Sequence, residues 1–241
     1  MVLTGVYAHP DDETFSGGGT YAKYAARGAR MTLFCATDGD AGKTSGLGVS
    51  SREELGVLRR TELMAAAKIL GFDSVEPAGY PDGGLRNVDR DELIGKIVRH
   101  FRRERPQVVI TFGPEGAPNA HQDHKVVSRA ATAAFFLAGN ASAYAEQRKE
   151  GLTVHTPSRL FYVTWPPPEE NSPQPRGVPA TARIDVRPFR KTELAAWGAH
   201  RSQQALQARF DEYAATDDEL FALAAGVAQP AAVIEDLFGG L

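Results

Sequence analysis

The chain has 241 residues, 42% of them hydrophobic, and a formal net charge of −3. That is enough apolar material for one sizeable core, and there is no basic excess of the kind that nucleic acid attracts. No apolar run approaches the roughly 18 residues a bilayer-spanning helix needs, no signal-peptide pattern opens the chain, and the single cysteine, Cys35, cannot close an intrachain disulfide. The reading is one domain over residues 1–241, in the reducing cytoplasm, with neither nucleic acid nor membrane as a partner.

Residues 2–8 are rich in β-formers and have strand length. They run into His9-Pro10-Asp11-Asp12-Glu13, one imidazole and three carboxylates on the turn that would follow a first strand. Carboxylates this crowded repel one another unless a cation neutralises them, and a divalent metal is the usual answer. On spacing alone, an acidic turn capping a helix is the plainer alternative. Residues 14–27 carry apolar side chains at helical spacing, with Gly28 as the stop. A second strand over 31–37 holds Cys35 as a buried thiol, and the turn 38–42 follows on the same edge as the first motif. Residues 43–50 are rich in Gly and Ser and read as a mobile loop beside the site.

Ser51 and Glu54 form a capping box for a long helix that Gly71 ends. A short strand over 74–78 and a turn over 79–84, which contains Asp82, come next. A second capping box, Asp89 to Glu92, opens an amphipathic helix that Pro106 stops. Residues 107–112 are an apolar strand. Alternating strands and helices predict an α/β fold, a mostly parallel sheet in a three-layer α/β/α sandwich. A loop over 113–120 then leads into His121-Gln122-Asp123-His124 and an alanine-rich helix over 125–137. Beyond it the pattern weakens: a strand over 160–165, a proline-rich excursion over 166–179, a strand over 182–186, a helix over 189–213, and one or two short helices in the last 25 residues. His100 and His155 read as surface residues, and Trp165 and Trp197 as core or interface aromatics.

Two dense polar clusters therefore stand at the C-terminal ends of strands, where open parallel sheets bind ligands. His9, Asp12 and His124 supply two imidazoles and a carboxylate, a donor set that suits catalytic zinc and is accepted equally by iron(II). A carboxylate beside a ligand can take a proton from water, and a second histidine can stabilise an oxyanion or protonate a departing amine. The leftover groups Asp11, His121 and Asp123 fill those places in a metal-assisted amide hydrolysis.

Ala8-His9-Pro10-Asp11-Asp12-Glu13 followed by His121-x-Asp123-His124 resembles the PIG-L/LmbE-type zinc-dependent N-deacetylases. The resemblance extends to Arg59-x-x-Glu62, Asp82 and Ala199-His200-Arg201-Ser202-Gln203. It implies a Rossmann-like fold and removal of the acetyl group from an N-acetylglucosaminyl conjugate, a small-molecule amino-sugar substrate, in a chain that can form a homo-oligomer. It implies His9, Asp12 and His124 as zinc ligands, Asp11 as general base, and His121 as the oxyanion or amine partner with Asp123 orienting it. Arg59 and Asp82 would grip sugar hydroxyls or a phosphate, with His200 at the pocket rim or in the core. Relatives often carry Pro where Gln122 stands and Tyr where Asn119 stands, so Asn119 would contact the substrate through its amide. The rival readings are an amidase that cleaves a larger sugar–thiol conjugate, and a metal-bearing carbohydrate-binding protein without turnover.

Overall fold

The computed structural model describes residues 1–165 and 177–241. Seven strands, β1 (Val2–Tyr7), β2 (Arg30–Thr37), β3 (Ser74–Tyr80), β4 (Val108–Phe112), β5 (Arg159–Thr164), β6 (Ala182–Asp185) and β7 (Asp218–Gly226), form one sheet in the order β3-β2-β1-β4-β5-β7-β6. The first five pair in parallel, and β7 runs antiparallel to both β5 and β6. The helices are α1 (Asp12–Ala26), α2 (Arg52–Leu70), α3 (Arg90–Glu104), α4 (Gln122–Leu137), α5 (Ala145–Lys149), α6 (Arg190–Ala199) and α7 (Gln207–Ala214). None of them is long and apolar enough to cross a membrane among the described residues.

β1, β2 and β4 are apolar on both faces because helices cover both, as parallel sheets require. The chain leaves β1 towards β2 and β3 on one side and returns through β4 and β5 on the other. The strand order reverses between β1 and β4, so a crevice opens at their C-terminal ends. The residues that follow β1 and β4 carry the two polar clusters. Local signals act as expected at α2: Ser51 Oγ accepts the Glu54 N–H at 3.1 Å, and Gly71 takes a left-handed φ of 86° to end the helix. The Glu54 carboxylate, however, caps the N–H of Ser50, one residue earlier than a capping box places it.

The second half departs from the sequence reading. The helix expected over 189–213 breaks at His200 into α6, a 3-10 stretch (Arg201–Leu206) and α7. Residues 218–226, rich in Ala and Leu, form β7 instead of a helix, because two strands flank that segment and pairing overrides weak local propensity. His100 is fully buried, with Nε2 2.8 Å from Thr4 Oγ1 and Nδ1 2.7 Å from Glu76 Oε2. Trp165 is half-buried, in contact with Tyr213, while Trp197 is core. Of the proline-rich excursion, residues 166–176 lie outside the described residues.

Two packing features carry tests. A Cβ on Gly5 of β1 would stand 2.6 Å from the Tyr21 hydroxyl and 2.8 Å from Tyr7 Cε2, in the pair whose hydroxyls share a 2.7 Å hydrogen bond. Gly5→Ala is expected to cost roughly 1–3 kcal/mol through overpacking, read as a lower urea midpoint. At the α1–α6 contact, Glu193 packs on Gly18. Its own burial first, and then the Glu219 charge, push its carboxyl up to about 8. A raised acid pKa means that the folded state keeps a proton the unfolded chain loses near its ordinary value, so stability falls as pH rises from that value through about 8. Glu193→Gln should flatten that decline, and an unchanged slope of Tm against pH between the two limits would contradict the assignment.

Candidate metal centre and active site

The loop after β1 holds its residues in a pose the backbone resists. Asp11 has φ 122° and ψ −26°, a region that costs a non-glycine residue on the order of 1–3 kcal/mol. Three sets of contacts fix it. The Glu13 carboxylate accepts the Asp11 N–H at 3.0 Å; the Asp11 carbonyl accepts the N–H groups of Thr14 and Phe15, both at 3.0 Å; and the His9 N–H donates to Asp12 Oδ2 at 2.7 Å. Arg59, buried on α2, donates to the Pro10 carbonyl, to Gly39 O at 2.7 Å and to Asp11 Oδ2 at 3.0 Å, and lies 3.7 Å from Asp82 Oδ2. Arg59 therefore gathers carboxylates. It lines the cavity, as the expected contact with sugar hydroxyls or a phosphate requires, but its terminal nitrogens already have partners within the protein.

The pose brings the clusters together. Asp12 lies between two imidazoles, with Oδ2 3.2 Å from His9 Nδ1 and Oδ1 3.3 Å from His124 Nε2. His9 Nε2 stands 3.1 Å from Asp82 Oδ1 and 3.4 Å from Asp123 Oδ2. His124 stacks on Phe112 with ring centres 3.9 Å apart. Two groups of three can each converge on one point, His9 with His121 and His124, and His9 with Asp82 and Asp123. His9 Nε2 and His124 Nδ1 are buried without a hydrogen bond: the carboxylates are near His9 Nε2 but not aligned with it. Donors about 2.0–2.2 Å from a tetrahedral ion stand roughly 3.3 Å from one another, so the Asp12 separations from His9 Nδ1 and His124 Nε2 fit a shared metal, although neither converging group is the expected trio of His9, Asp12 and His124. The charge balance agrees. Burial works against a charged His9, yet Asp12, Asp123 and Asp82 hold its pKa well above the usual histidine range, so the cluster favours a positive charge in its midst.

Asp11 is buried beside this centre and lines the cavity above it. Burial raises its carboxyl, Arg59 opposes that, and the net position is about 6. His121 also lines the cavity, its ring centre 4.7 Å from that of His9. Its Nδ1 accepts the Asp123 N–H at 3.2 Å as the N-cap of α4, so the ring proton belongs on Nε2. Burial first, and then His9 and His124, lower its pKa, against the smaller opposing pull of Asp123. The Asp123 carboxylate, fully buried, instead accepts the N–H groups of Gly83 at 2.7 Å and Leu85 at 3.2 Å and faces His9. It positions His9 and the Asp82 turn, not His121. Asp82 points at His9 and Arg59, within the cluster. Asn119 lines the cavity, with its side-chain oxygen accepting the His121 N–H at 3.1 Å.

His200 is not at the rim. It is fully buried and bonds Glu13 Oε1 at 2.7 Å, behind the strained loop. The residues after it continue the support: the Ser202 N–H and hydroxyl donate to Glu62 at 2.8 and 2.6 Å, Ser45 Oγ donates to Ser202 O at 2.6 Å, and Gln203 Nε2 donates to Lys43 O at 2.8 Å. The loop expected to be mobile is thus fastened at Lys43 and Ser45. The cavity itself measures about 550 Å³, and the sequence reading left its far wall unidentified: Gln203, Leu206, Arg209 and Tyr213, with Phe15 and Trp165 beside them. Spacings of three, three and four residues place the first four on one helical face, a pattern hidden inside the single helix read over 189–213.

The chain is similar to known proteins. Residues 5–135 match the PIG-L family, described as GlcNAc-PI de-N-acetylase. The chain is 30% identical to a 1D-myo-inositol 2-acetamido-2-deoxy-α-D-glucopyranoside deacetylase of Saccharomonospora viridis, over 98% of this chain and 99% of that one. A conserved protein of Thermus thermophilus superposes with a TM-score of 0.72 at 28% identity, over 95% of this chain and 96% of that one. The N,N'-diacetylchitobiose deacetylase of Pyrococcus horikoshii shares the fold, with a TM-score of 0.76 at 21% identity, over 92% of this chain and 83% of that one. The matched stretch contains both polar clusters, Arg59 and Asp82, and the likeness to the Saccharomonospora enzyme runs end to end, so the chain belongs to the PIG-L family.

Proposed function

We propose that the chain hydrolyses the acetamide of an N-acetylglucosaminyl conjugate, with a zinc ion held by His9, Asp12 and His124 and with Asp11 as general base. The observation that carries this reading is Asp12 shared between the two imidazoles, with Asp11, the next residue, turned into the cavity above them. Zinc in this set would supply Lewis acidity to the acetyl carbonyl and to water, and iron(II) would serve with the same donors. Asp11 takes the proton from the attacking water and later returns it to the nitrogen as the C–N bond breaks, giving acetate and the free amine. Arg59 and the Glu13 carboxylate hold Asp11 in the pose that this transfer needs. The Nε2–H of His121 donates to the carbonyl oxygen as negative charge builds there. Asp123 and Asp82 keep the His9 ring in place from its other side. The substrate is a small conjugate, and the reaction belongs in the cytoplasm.

Asp11→Asn should keep its metal and lose about 10²- to 10⁴-fold in acetate release. His9→Ala should lose the metal itself, measured by elemental analysis of the dialysed protein. An Asp11→Asn protein with full metal and wild-type turnover would overturn the base assignment. Zinc as the native ion is checked by the metal recovered from protein purified without oxygen, where iron in its place would correct the ion but not the ligands.

A further inference from the structure

The far wall of the cavity has a charge that the deacetylation itself does not use. The acidic residues that line the cavity, Asp11, Asp12 and Asp82, all belong to the metal centre. Arg209 stands on the opposite wall, half-buried on α7, and Lys43 on the rim. No carboxylate pairs with either among the described residues, whereas Arg59, at the metal end, is matched to Asp11 and Asp82. The Arg209 guanidinium is kept in place: Nε and Nη2 both lie 3.3 Å from the Tyr213 hydroxyl, one helical turn on. Tyr213 in turn leans on Phe15, ring centres 5.7 Å apart, and on Trp165 at 5.8 Å. Lys43 is tied through its backbone, its carbonyl accepting from Gln203 and its N–H donating to the same amide at 3.3 Å.

We infer that this wall is a subsite for an anionic group, a carboxylate or a phosphate, on the part of the conjugate beyond the sugar. This deepens the deacetylase reading and rests on it for the placement of the sugar at the metal end. An acetamide over His9, Asp12 and His124 leaves the rest of a conjugate directed towards Leu206, Arg209 and Tyr213. A planar guanidinium fork held by a phenol is suited to two oxygens of one anion, and the aromatic wall takes up the carbon skeleton between. A neutral polyol there would leave both cations without a counter-charge from the described residues. Gln203 and Leu206, between Lys43 and Arg209 along the same face, give that skeleton one amide and one apolar contact.

The test uses matched N-acetylglucosaminyl conjugates whose second group is a carboxylate, its neutral amide, or a phosphate ester. Acetate release by the metal-loaded protein is measured with each, and the affinity of each is measured by calorimetry on the Asp11→Asn protein, where turnover does not intervene. The expected result is at least about tenfold tighter binding of an anionic member than of the neutral amide, the scale of one charge-assisted pair. Arg209→Gln, added to Asp11→Asn, should bring that ratio close to one. Whether carboxylate or phosphate shows the larger ratio identifies the source of the charge. Equal affinities for charged and neutral members, or a ratio that survives Arg209→Gln, overturns the subsite even if acetate is released. A charge preference that depends on Arg209 without any acetate release overturns the deacetylase reading and leaves the subsite standing. Binding of no member overturns both.

Discussion

The structure depends on how closely packed carboxylates are kept from driving one another apart. Asp12, Asp82 and Asp123 converge on His9 at the C-terminal edge of β1, with Asp11 beside them on Arg59, and all four are largely out of reach of solvent. Water does little to screen charges placed there, and the unfavourable energy must be met by protein groups or by an ion. Arg59 answers part of it, for Asp11 and more loosely for Asp82. Backbone N–H groups of Gly83 and Leu85 answer Asp123. What remains falls on the imidazoles of His9 and His124, each of which stands within 3.4 Å of at least one of these carboxylates. The fold is the frame that keeps these opposed charges together.

The first half of that frame was legible in the sequence because local rules and tertiary demands agree there. Residues 2–8 and 107–112 are apolar on both faces, as central parallel strands must be, and the polar groups that interrupt the pattern fall at strand ends. The two motifs could be paired from the chemistry of their side chains alone. The second half misled where neighbours overrule propensity: residues 218–226 have the composition of a helix and become β7 because β5 and β6 leave a strand's width between them. His200 shows a different limit. Its place in a polar motif suggested contact with a ligand, but burial is a property of what packs around a residue, and here α1 and its own chain enclose it. For Arg59, Asp82 and Asp123, the residue type was a fair guide to charge and a poor guide to direction. Nothing in a sequence states which oxygen faces which ring.

The fold accounts for where the chemistry happens and leaves open what is bound. The crevice between β1 and β4 is a consequence of strand order, and any chain with this order has one. The pair of histidines and the shared Asp12 gather metal-ligand side-chain types in that crevice. The wall from Gln203 to Tyr213 adds a third layer of information, because it comes from the irregular second half, where the chain is freest to vary without disturbing the sheet. The metal-ligand cluster and the far wall thus come from different parts of the chain, tied together by the contacts of residues 200–203.

The contacts of residues 200–203 bear on what unit is inherited. His200 braces Glu13, and Ser202 braces Glu62, which shares α2 with Arg59. Each brace spans more than a hundred residues of sequence, 187 for the first and 140 for the second. The groups that resemble a self-sufficient signature at the start of the chain are therefore held to their task by a segment well outside it. Transplanted to another sheet, the short motif would bring the right atoms and lose their bearing. A substitution at position 13 is felt at position 200, so the two are expected to change together or not at all as such chains diverge.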